Sequence, residues 1–464
     1  MEKKDTIAAI ASAKSSAGIG IVRISGEDAL SVIDKVYRST SKKKVLSKEP
    51  THTIHYGFIY DGEECVDEVM VLLMLAPNSY TKENTVEIDC HGGMLVTKKV
   101  LETVLKAGAR IAEPGEFTKR AFLNGRIDLS EAEAVMDVIN SESEAALQAS
   151  MKQLQGSVSK KISEMRDSLI YEIAFIESAL DDPEHISLDG YPEKLSKVVN
   201  KELANANYLI HTFDNGKIIR EGIHVAILGK PNVGKSSLLN KLLGEDKAIV
   251  TDIAGTTRDV IEQYVNYNGV GIIFADTAGI RETGDKVEQI GVDLATKKAE
   301  EADLILYVID ASKHLEKEDL QIIDILKNKR AIVLLNKNDL DTVVTVSEIN
   351  ELLKDASFEY SVLETSMTEE FGLEDLQDEI LHLFHTGQIT NNEEVTITNE
   401  RHKEALTEAR DSLLLVQKSI EDNMPEDFFS IDLMNAYTSL GRIIGASVED
   451  DLVREIFTKF CLGK

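Results

Sequence analysis

Gly229-Lys230-Pro231-Asn232-Val233-Gly234-Lys235-Ser236-Ser237 has the form GxxxxGK[ST], a phosphate-binding P-loop. The run before it, His224-Val225-Ala226-Ile227-Leu228, has strand composition. The run after it, through Leu238, Leu239, Leu242 and Leu243, has helical periodicity. This strand–loop–helix context separates the motif from a chance glycine-rich turn. Gly229 and Gly234 let backbone N–H groups converge on phosphate oxygens. Lys235 reaches the β- and γ-phosphates, and Ser236 offers a hydroxyl to Mg²⁺.

The rest of a GTPase set follows in order. Asn336-Lys337-Asn338-Asp339 is an NKxD motif after the apolar strand Ala331-Ile332-Val333-Leu334-Leu335. A carboxylate at Asp339 accepts from N1–H and the 2-amino group of guanine together; adenine offers neither donor there and would leave the acceptor unpaired. Between the two motifs lies Asp276-Thr277-Ala278-Gly279, after a third strand (Ile272-Ile273-Phe274-Ala275). Asp276 is placed to position the Mg²⁺ shell and Gly279 to present an N–H to the γ-phosphate. Thr256-Thr257 fall in a loop where a switch threonine closes on Mg²⁺. Glu364-Thr365-Ser366-Met367 occupies the base-contact loop, with Met367 where alanine is usual. The glutamine that orients water in Ras-like GTPases is replaced by Ile280, which cannot hydrogen-bond. Either hydrolysis is poor, or Arg281, Glu282 or Glu288 holds the water.

The chain has 464 residues, enough for about three domains at ~150 each. Its net charge of −30 gives no global electrostatic footprint for nucleic acid, so an RNA substrate must be bound locally or by a partner. Three scattered cysteines, Cys65, Cys90 and Cys461, make no disulfide framework and fit a cytoplasmic location. No signal peptide and no membrane span are expected.

Residues 1–120 mix strands and short helices, as in an α+β domain. Ser130-Glu131-Ala132-Glu133 reads as a capping box. Beyond it Leu147, Met151, Leu154, Val158, Ile162, Met165, Leu169, Ile173, Ile176 and Leu180 recur at helical spacing. The stripe predicts packed helix, continuous or broken near Gly156, ending at Asp182-Pro183. Helical pattern resumes at Ala405, Leu406, Ala409, Leu413, Val416 and Ile420, and again through Val453 and Ile456. The expected fold class is multidomain α/β and α: an N-terminal α+β domain (1–120), a helical domain (121–216 and 384–464), and a Ras-like P-loop α/β GTPase domain (217–383) inserted into the helical domain.

Several long strings carry a resemblance. They are Gly18-Ile19-Gly20-Ile21-Val22-Arg23-Ile24-Ser25-Gly26, Pro77-Asn78-Ser79-Tyr80-Thr81, Val86-Glu87-Ile88-Asp89-Cys90-His91-Gly92-Gly93, and Glu113 through Arg126. Thr251-Asp252-Ile253-Ala254-Gly255-Thr256-Thr257-Arg258-Asp259 and the terminal Cys461-Leu462-Gly463-Lys464 join them. Over almost its whole length the chain resembles the MnmE (TrmE) family, GTPases of wobble-uridine modification in tRNA. It departs at Ser12 to Ala17, where the family often has a Pro/Gly-rich turn, and at Leu462, where isoleucine is common.

The resemblance implies a nucleotide set of Asn232, Val233, Gly234, Lys235, Ser236, Ser237, Thr251, Asp252, Ile253, Ala254, Gly255, Thr256, Thr257, Asp276, Thr277, Ala278, Gly279, Asn336, Lys337 and Asp339. It implies Mg²⁺ at Ser236 and Thr257, and K⁺ in place of an arginine finger, held by Asn232, Thr251, Ile253 and Thr256. Glu288 takes the water-orienting role, beside Lys235. The N-terminal domain becomes a folate-binding and dimerisation domain whose contacts are Arg23, Glu87, Arg126 and Lys464, for 5-formyl- or methylene-tetrahydrofolate. Cys461 is either a nucleophile near the one-carbon unit or a small packed thiol. The implied reaction adds an aminomethyl or carboxymethylaminomethyl group to C5 of uridine 34, with the partner MnmG and a homodimer of this chain. A regulatory GTPase of ribosome assembly is the rival reading; the ends of the chain, Arg23, Glu87, Arg126 and Cys461 to Lys464, favour modification.

Overall fold

The computed structural model describes residues 5–13, 15–40, 44–244, 263–267, 270–274, 300, 302–326, 329–357, 359–384, 395–446, 456, 457, 460 and 463. The chain divides into two compact units. One comprises Met1–Met136, Gln153–Leu195 and Leu415–Lys464; the other comprises Asp137–Lys152 and Ser196–Leu414.

The first unit holds a seven-stranded sheet. Its strands are β1 (Ile7–Ile10), β2 (Ile19–Ser25), β3 (Tyr37–Ser39), β4 (Thr53–Asp61), β5 (Glu64–Met74), β6 (Thr85–His91) and β7 (Arg110–Ile111), in the order β3-β4-β5-β6-β2-β1-β7. The sheet is antiparallel except for the β1–β7 pair. Side chains alternate between the faces. Val22, Ile24, Val71, Leu73, Val86 and Ile88 are fully buried or nearly so, and pack with Val32, Ile33, Val100 and Val104 of helices Ala29–Val36 and Met94–Lys106. The alternation therefore turns Arg23, Glu87 and Asp89 to the opposite face. Arg23 lies directly across from Glu87 in the β2–β6 register.

The helical stripe is real, and it breaks at Gly156, whose φ of 85° few other residues adopt. Helices Glu144–Leu154 and Ser157–Asp181 lie on either side. Val158, Ile162, Met165, Leu169, Ile173 and Ile176 are buried as expected, but Leu147, Met151 and Leu180 are exposed. The break resets the helical phase, so in the shorter helix Ala146, Ser150 and Gln153 turn inward instead, with Ser143 buried just before it. Leu180 falls in the last turn of its helix. The capping box also sits two residues earlier than expected: Asp128 Oδ1 accepts from the Glu131 N–H, and Glu131 Oε2 accepts from the Asp128 N–H, each at 2.9 Å. Ser130 lies inside the helix and donates to Asp128 Oδ1.

The second unit holds a six-stranded sheet: β8 (Ile223–Leu228), β9 (Gln263–Tyr267), β10 (Val270–Phe274), β11 (Leu304–Asp310), β12 (Ala331–Asn336) and β13 (Tyr360–Thr365), in the order β13-β12-β11-β8-β10-β9. All neighbours run parallel except β9 with β10. β11 and β12 are buried throughout, as parallel strands covered on both faces must be. Leu238, Leu242, Leu376 and Ile380 cover one face; Ile323, Leu326, Ile349 and Leu353 cover the other. In such a doubly wound sheet, ligands bind at the C-terminal strand ends. The P-loop, the Asn336–Asp339 segment and Ser366 all follow those ends.

Candidate functional sites

The P-loop joins β8 to helix Lys235–Gly244. Gly229 and Gly234 have φ of 145° and 111°. A Cβ at Gly229 would collide with the Val308 carbonyl, and one at Gly234 with Asn336 Nδ2. The glycines are thus required both by backbone conformation and by the close approach of neighbouring strands. Asn232 is exposed and itself takes a φ of 62°, an uncommon value for a side-chain-bearing residue. Lys235 Nζ donates to the carbonyls of Gly229 and Lys230, both at 2.6 Å, so the ammonium is held across the loop's own concavity. Ser236 and Ser237 are exposed at the start of the helix.

Asn336 ties the phosphate loop to the base loops. It is buried; its Nδ2 donates to the Val233 carbonyl at 2.7 Å, and its Oδ1 accepts from the Met367 N–H at 3.3 Å. Lys337, at a φ of 67°, donates through Nζ to Asp310 Oδ2 at 2.7 Å. Burial pushes the Asp310 carboxyl up, but hydrogen bonds from Lys337 and Ser312 outweigh it and hold it at about 2. Asp339 is exposed, and its Oδ1 accepts from Ser366 Oγ at 2.7 Å. The Glu364–Met367 loop therefore orients Asp339 through Ser366, and its methionine contributes a backbone N–H, which any residue but proline supplies. Asp310 escaped sequence reading; its one signal is an aspartate ending an otherwise apolar strand.

In the first unit, Arg23 Nε donates to Glu87 Oε1 at 2.7 Å, with both side chains 17% exposed. Arg23 Nη1 donates to the Gly463 carbonyl at 3.2 Å, although 440 residues separate them. A Cβ at Gly463, where φ is 92°, would collide with the Ile10 carbonyl, so Gly463 lies against the end of β1. The Tyr80 ring joins Arg23 to Arg126: their guanidinium carbons lie 5.7 and 4.5 Å from its centroid. Tyr80 lies in the string Pro77 to Thr81, to which the resemblance gives no ligand role.

The segment carrying Tyr80 is fixed by helix Glu116–Leu123. Tyr80 Oη pairs with Thr118 Oγ1 at 2.9 Å, and Asn124 Nδ2 donates to the Thr81 carbonyl at 2.6 Å. Arg120 bonds Glu83 at 3.1 Å and Glu116 at 2.9 Å. Three of the expected folate residues thus meet in one place. The fourth, Lys464, lies outside the described residues, as do Cys461, Thr251, Asp252, Ile253, Ala254, Gly255, Thr256, Thr257, Asp276, Thr277, Ala278, Gly279 and Glu288.

Comparison with known proteins follows the same division. The family model "MnmE helical domain" matches residues 129–461, and "GTP-binding protein TrmE N-terminus" matches residues 6–126. The tRNA modification GTPase MnmE of Lachnoclostridium phytofermentans is 58% identical over 462 residues, covering 100% of both chains. The chain belongs to the MnmE family of tRNA modification GTPases. The MnmE proteins of Alkaliphilus oremlandii and Thermoanaerobacter pseudethanolicus are 47% and 48% identical, each with 99% of both chains covered. The helical-domain model begins before the P-loop and ends after the last strand of the nucleotide-binding sheet, which agrees with a GTPase domain inserted into a helical one. MnmE membership also favours tRNA modification over a switch in ribosome assembly. Among the described residues no helix is long and apolar enough to cross a membrane.

Proposed function

We propose that this chain is a potassium-activated GTPase of the cytoplasm that acts as a homodimer. With MnmG it adds an aminomethyl or carboxymethylaminomethyl group to C5 of uridine 34 in tRNA, using a folate-borne one-carbon unit. The domains are 1–120, 121–216 with 384–464, and 217–383, as read from the sequence.

In the nucleotide site, Asp339, oriented by Ser366, accepts from the guanine N1–H and 2-amino group. Asn336 sets the spacing between base and phosphates by bonding Val233 of the P-loop. Lys235 exchanges its two loop carbonyls for phosphate oxygens. The P-loop fits these groups: Lys235 is held across the loop, and Ser236 and Asn232 are exposed beside it. Ser236 and Thr257 would hold Mg²⁺, which neutralises phosphate charge. Asn232, Thr251, Ile253 and Thr256 would hold K⁺, which would supply the positive charge that an arginine finger supplies in other GTPases. Glu288 orients the attacking water.

In the folate site, Glu87 accepts from the pterin ring N–H and 2-amino group; its described hydrogen bond, from Arg23, engages Oε1. Arg23, Arg126 and Lys464 meet carbonyl and carboxylate oxygens. The folate would bring the one-carbon unit, toward which Cys461 is either a nucleophile or only a small packed thiol.

The observation that supports modification over a bare switch is the Gly463 carbonyl on Arg23, a contact between the described residue of the C-terminal tetrapeptide and the Arg23–Glu87 pair. Deleting Cys461 to Lys464 is expected to abolish tRNA modification while GTP binding stays within twofold. A tail-deleted protein that still modified tRNA would remove the tetrapeptide from the mechanism.

A further inference from the structure

Beyond Arg126 the first unit carries a wide, open surface cavity of about 480 Å³, lined by His52, Met74, Pro77, Asn78, Ser79, Tyr80, Lys82 and Arg126. Among the described residues no carboxylate lines it, in a chain where acidic residues outnumber basic ones 81 to 51. Glu83, next to Lys82, is turned away: its Oε2 accepts from Arg120 and Ser25. Lys82 Nζ donates to the Gly125 carbonyl at 2.7 Å, which parks the ammonium beside Arg126 with two further N–H donors to offer. His52 and Lys82 take φ of 60° and 56°, values that few side-chain-bearing residues adopt and that cost local strain. Asn78 adds an exposed amide. The cavity is a cationic and polar recess with an apolar wall of Met74 and Pro77. It is continuous with the Arg23–Glu87 pair through the Tyr80 ring, which lies against both Arg23 and Arg126.

We propose that this cavity takes the γ-linked glutamate tail of a polyglutamylated folate. The inference rests on the folate reading of Arg23, Glu87 and Arg126. The polar groups fall in the order of the ligand's own parts. Glu87 and Arg23 meet the pterin end, Tyr80 and Arg126 the benzoyl-glutamate, and Lys82, His52 and Asn78 the carboxylates that each added glutamate brings. The methylenes between those carboxylates suit Met74 and Pro77. A phosphate of RNA is the competing anion. Continuity with the folate cluster favours the tail, because a ligand anchored at Glu87 delivers its carboxylates there at high local concentration.

Calorimetry on the full chain, at fixed ionic strength, with 5-formyltetrahydrofolate carrying one or three glutamates, tests this. The triglutamate is expected to bind ~5- to 10-fold tighter, as one or two added charge-assisted hydrogen bonds allow. Lys82→Ala should cut that ratio to about twofold or less without moving the monoglutamate affinity, and Lys82→Arg should keep it. Equal affinity of the two ligands for the wild type overturns the tail site alone. Failure of the monoglutamate to bind overturns the folate reading and the tail site with it. If Lys82→Ala instead weakens tRNA in filter binding and leaves the glutamate ratio unchanged, the cavity serves RNA and the proposal fails.

Discussion

Asn336→Ala is the substitution that most directly probes how the nucleotide site is assembled. Asn336 is 2% exposed and bridges two loops, donating to the Val233 carbonyl at 2.7 Å and accepting from the Met367 N–H at 3.3 Å. Thr365 Oγ1, at 3.5 Å, is at the limit of a hydrogen bond and adds little. Truncation to alanine leaves one buried carbonyl and one buried N–H without partners. Each costs ~1–3 kcal/mol, less whatever water enters the vacated volume recovers. A total of about 2–4 kcal/mol is expected, divided between stability of the nucleotide-binding module and GTP affinity. If half falls on binding, the GTP dissociation constant rises ~5- to 30-fold. Gly234→Ala should act in the same direction, since its Cβ would strike Asn336 Nδ2. The assay is fluorescence titration with a labelled guanine nucleotide, alongside urea unfolding. GTP affinity and unfolding midpoint both within error of wild type for Asn336→Ala would refute the bridging role.

Asp339→Asn should move nucleotide preference from GTP to XTP, because the xanthine 2-oxo group accepts from the new amide; a variant that still prefers GTP in competition binding contradicts the assignment. Hydrolysis should be faster in K⁺ than in Na⁺ at matched ionic strength, and Asn232→Ala should remove the difference while nucleotide binding persists; equal wild-type turnover in the two salts sinks the potassium site. Asp310 is held at about 2 against an ordinary 3.8, so it stabilises the fold by about 2 kcal/mol above pH ~4. The folded-state value is depressed, so this contribution is lost as pH falls from 4 towards 2, and Lys337→Met should flatten that part of the stability profile measured by urea unfolding; an unchanged acid slope would show that the pair does not set it.

Much of the nucleotide site was legible because its chemistry is local in sequence. A P-loop needs a glycine at each close approach and a lysine and serine in the next turn, and all are contiguous from Gly229 to Ser236. The strands were equally plain, since β11 and β12 are buried on both faces and read as unbroken apolar runs. What the sequence hid depends on pairing at a distance. Asp310 matters through Lys337, and Ser366 through Asp339, and neither spacing is fixed by a motif. The ring of Tyr80 between two arginines required the loop from Pro77 to be folded onto helix Glu116–Leu123. The capping box slipped by two residues because Asp128 is as good a cap as Ser130, and only tertiary packing decides between them. Leu147 and Met151 read as core because the spacing runs straight through Gly156, where the helix stops and restarts with a new phase, and Leu180 because its exposure comes only from its place in the last turn.

The central claim joins a guanine-nucleotide site to a folate site in one tRNA-modifying protein. It is tested most directly by reconstituting the chain with flavin-loaded MnmG, NADH, ammonium or glycine as amino donor, unmodified tRNA, GTP, KCl and a folate carrying a ¹³C one-carbon unit, then digesting the tRNA and weighing the wobble nucleoside by mass spectrometry. Uridine 34 should gain a C5 substituent bearing the label, and should not gain it when GTP is withheld or when Glu87→Ala replaces the wild type. A modified uridine 34 without label, or labelling that persists without GTP, would contradict it.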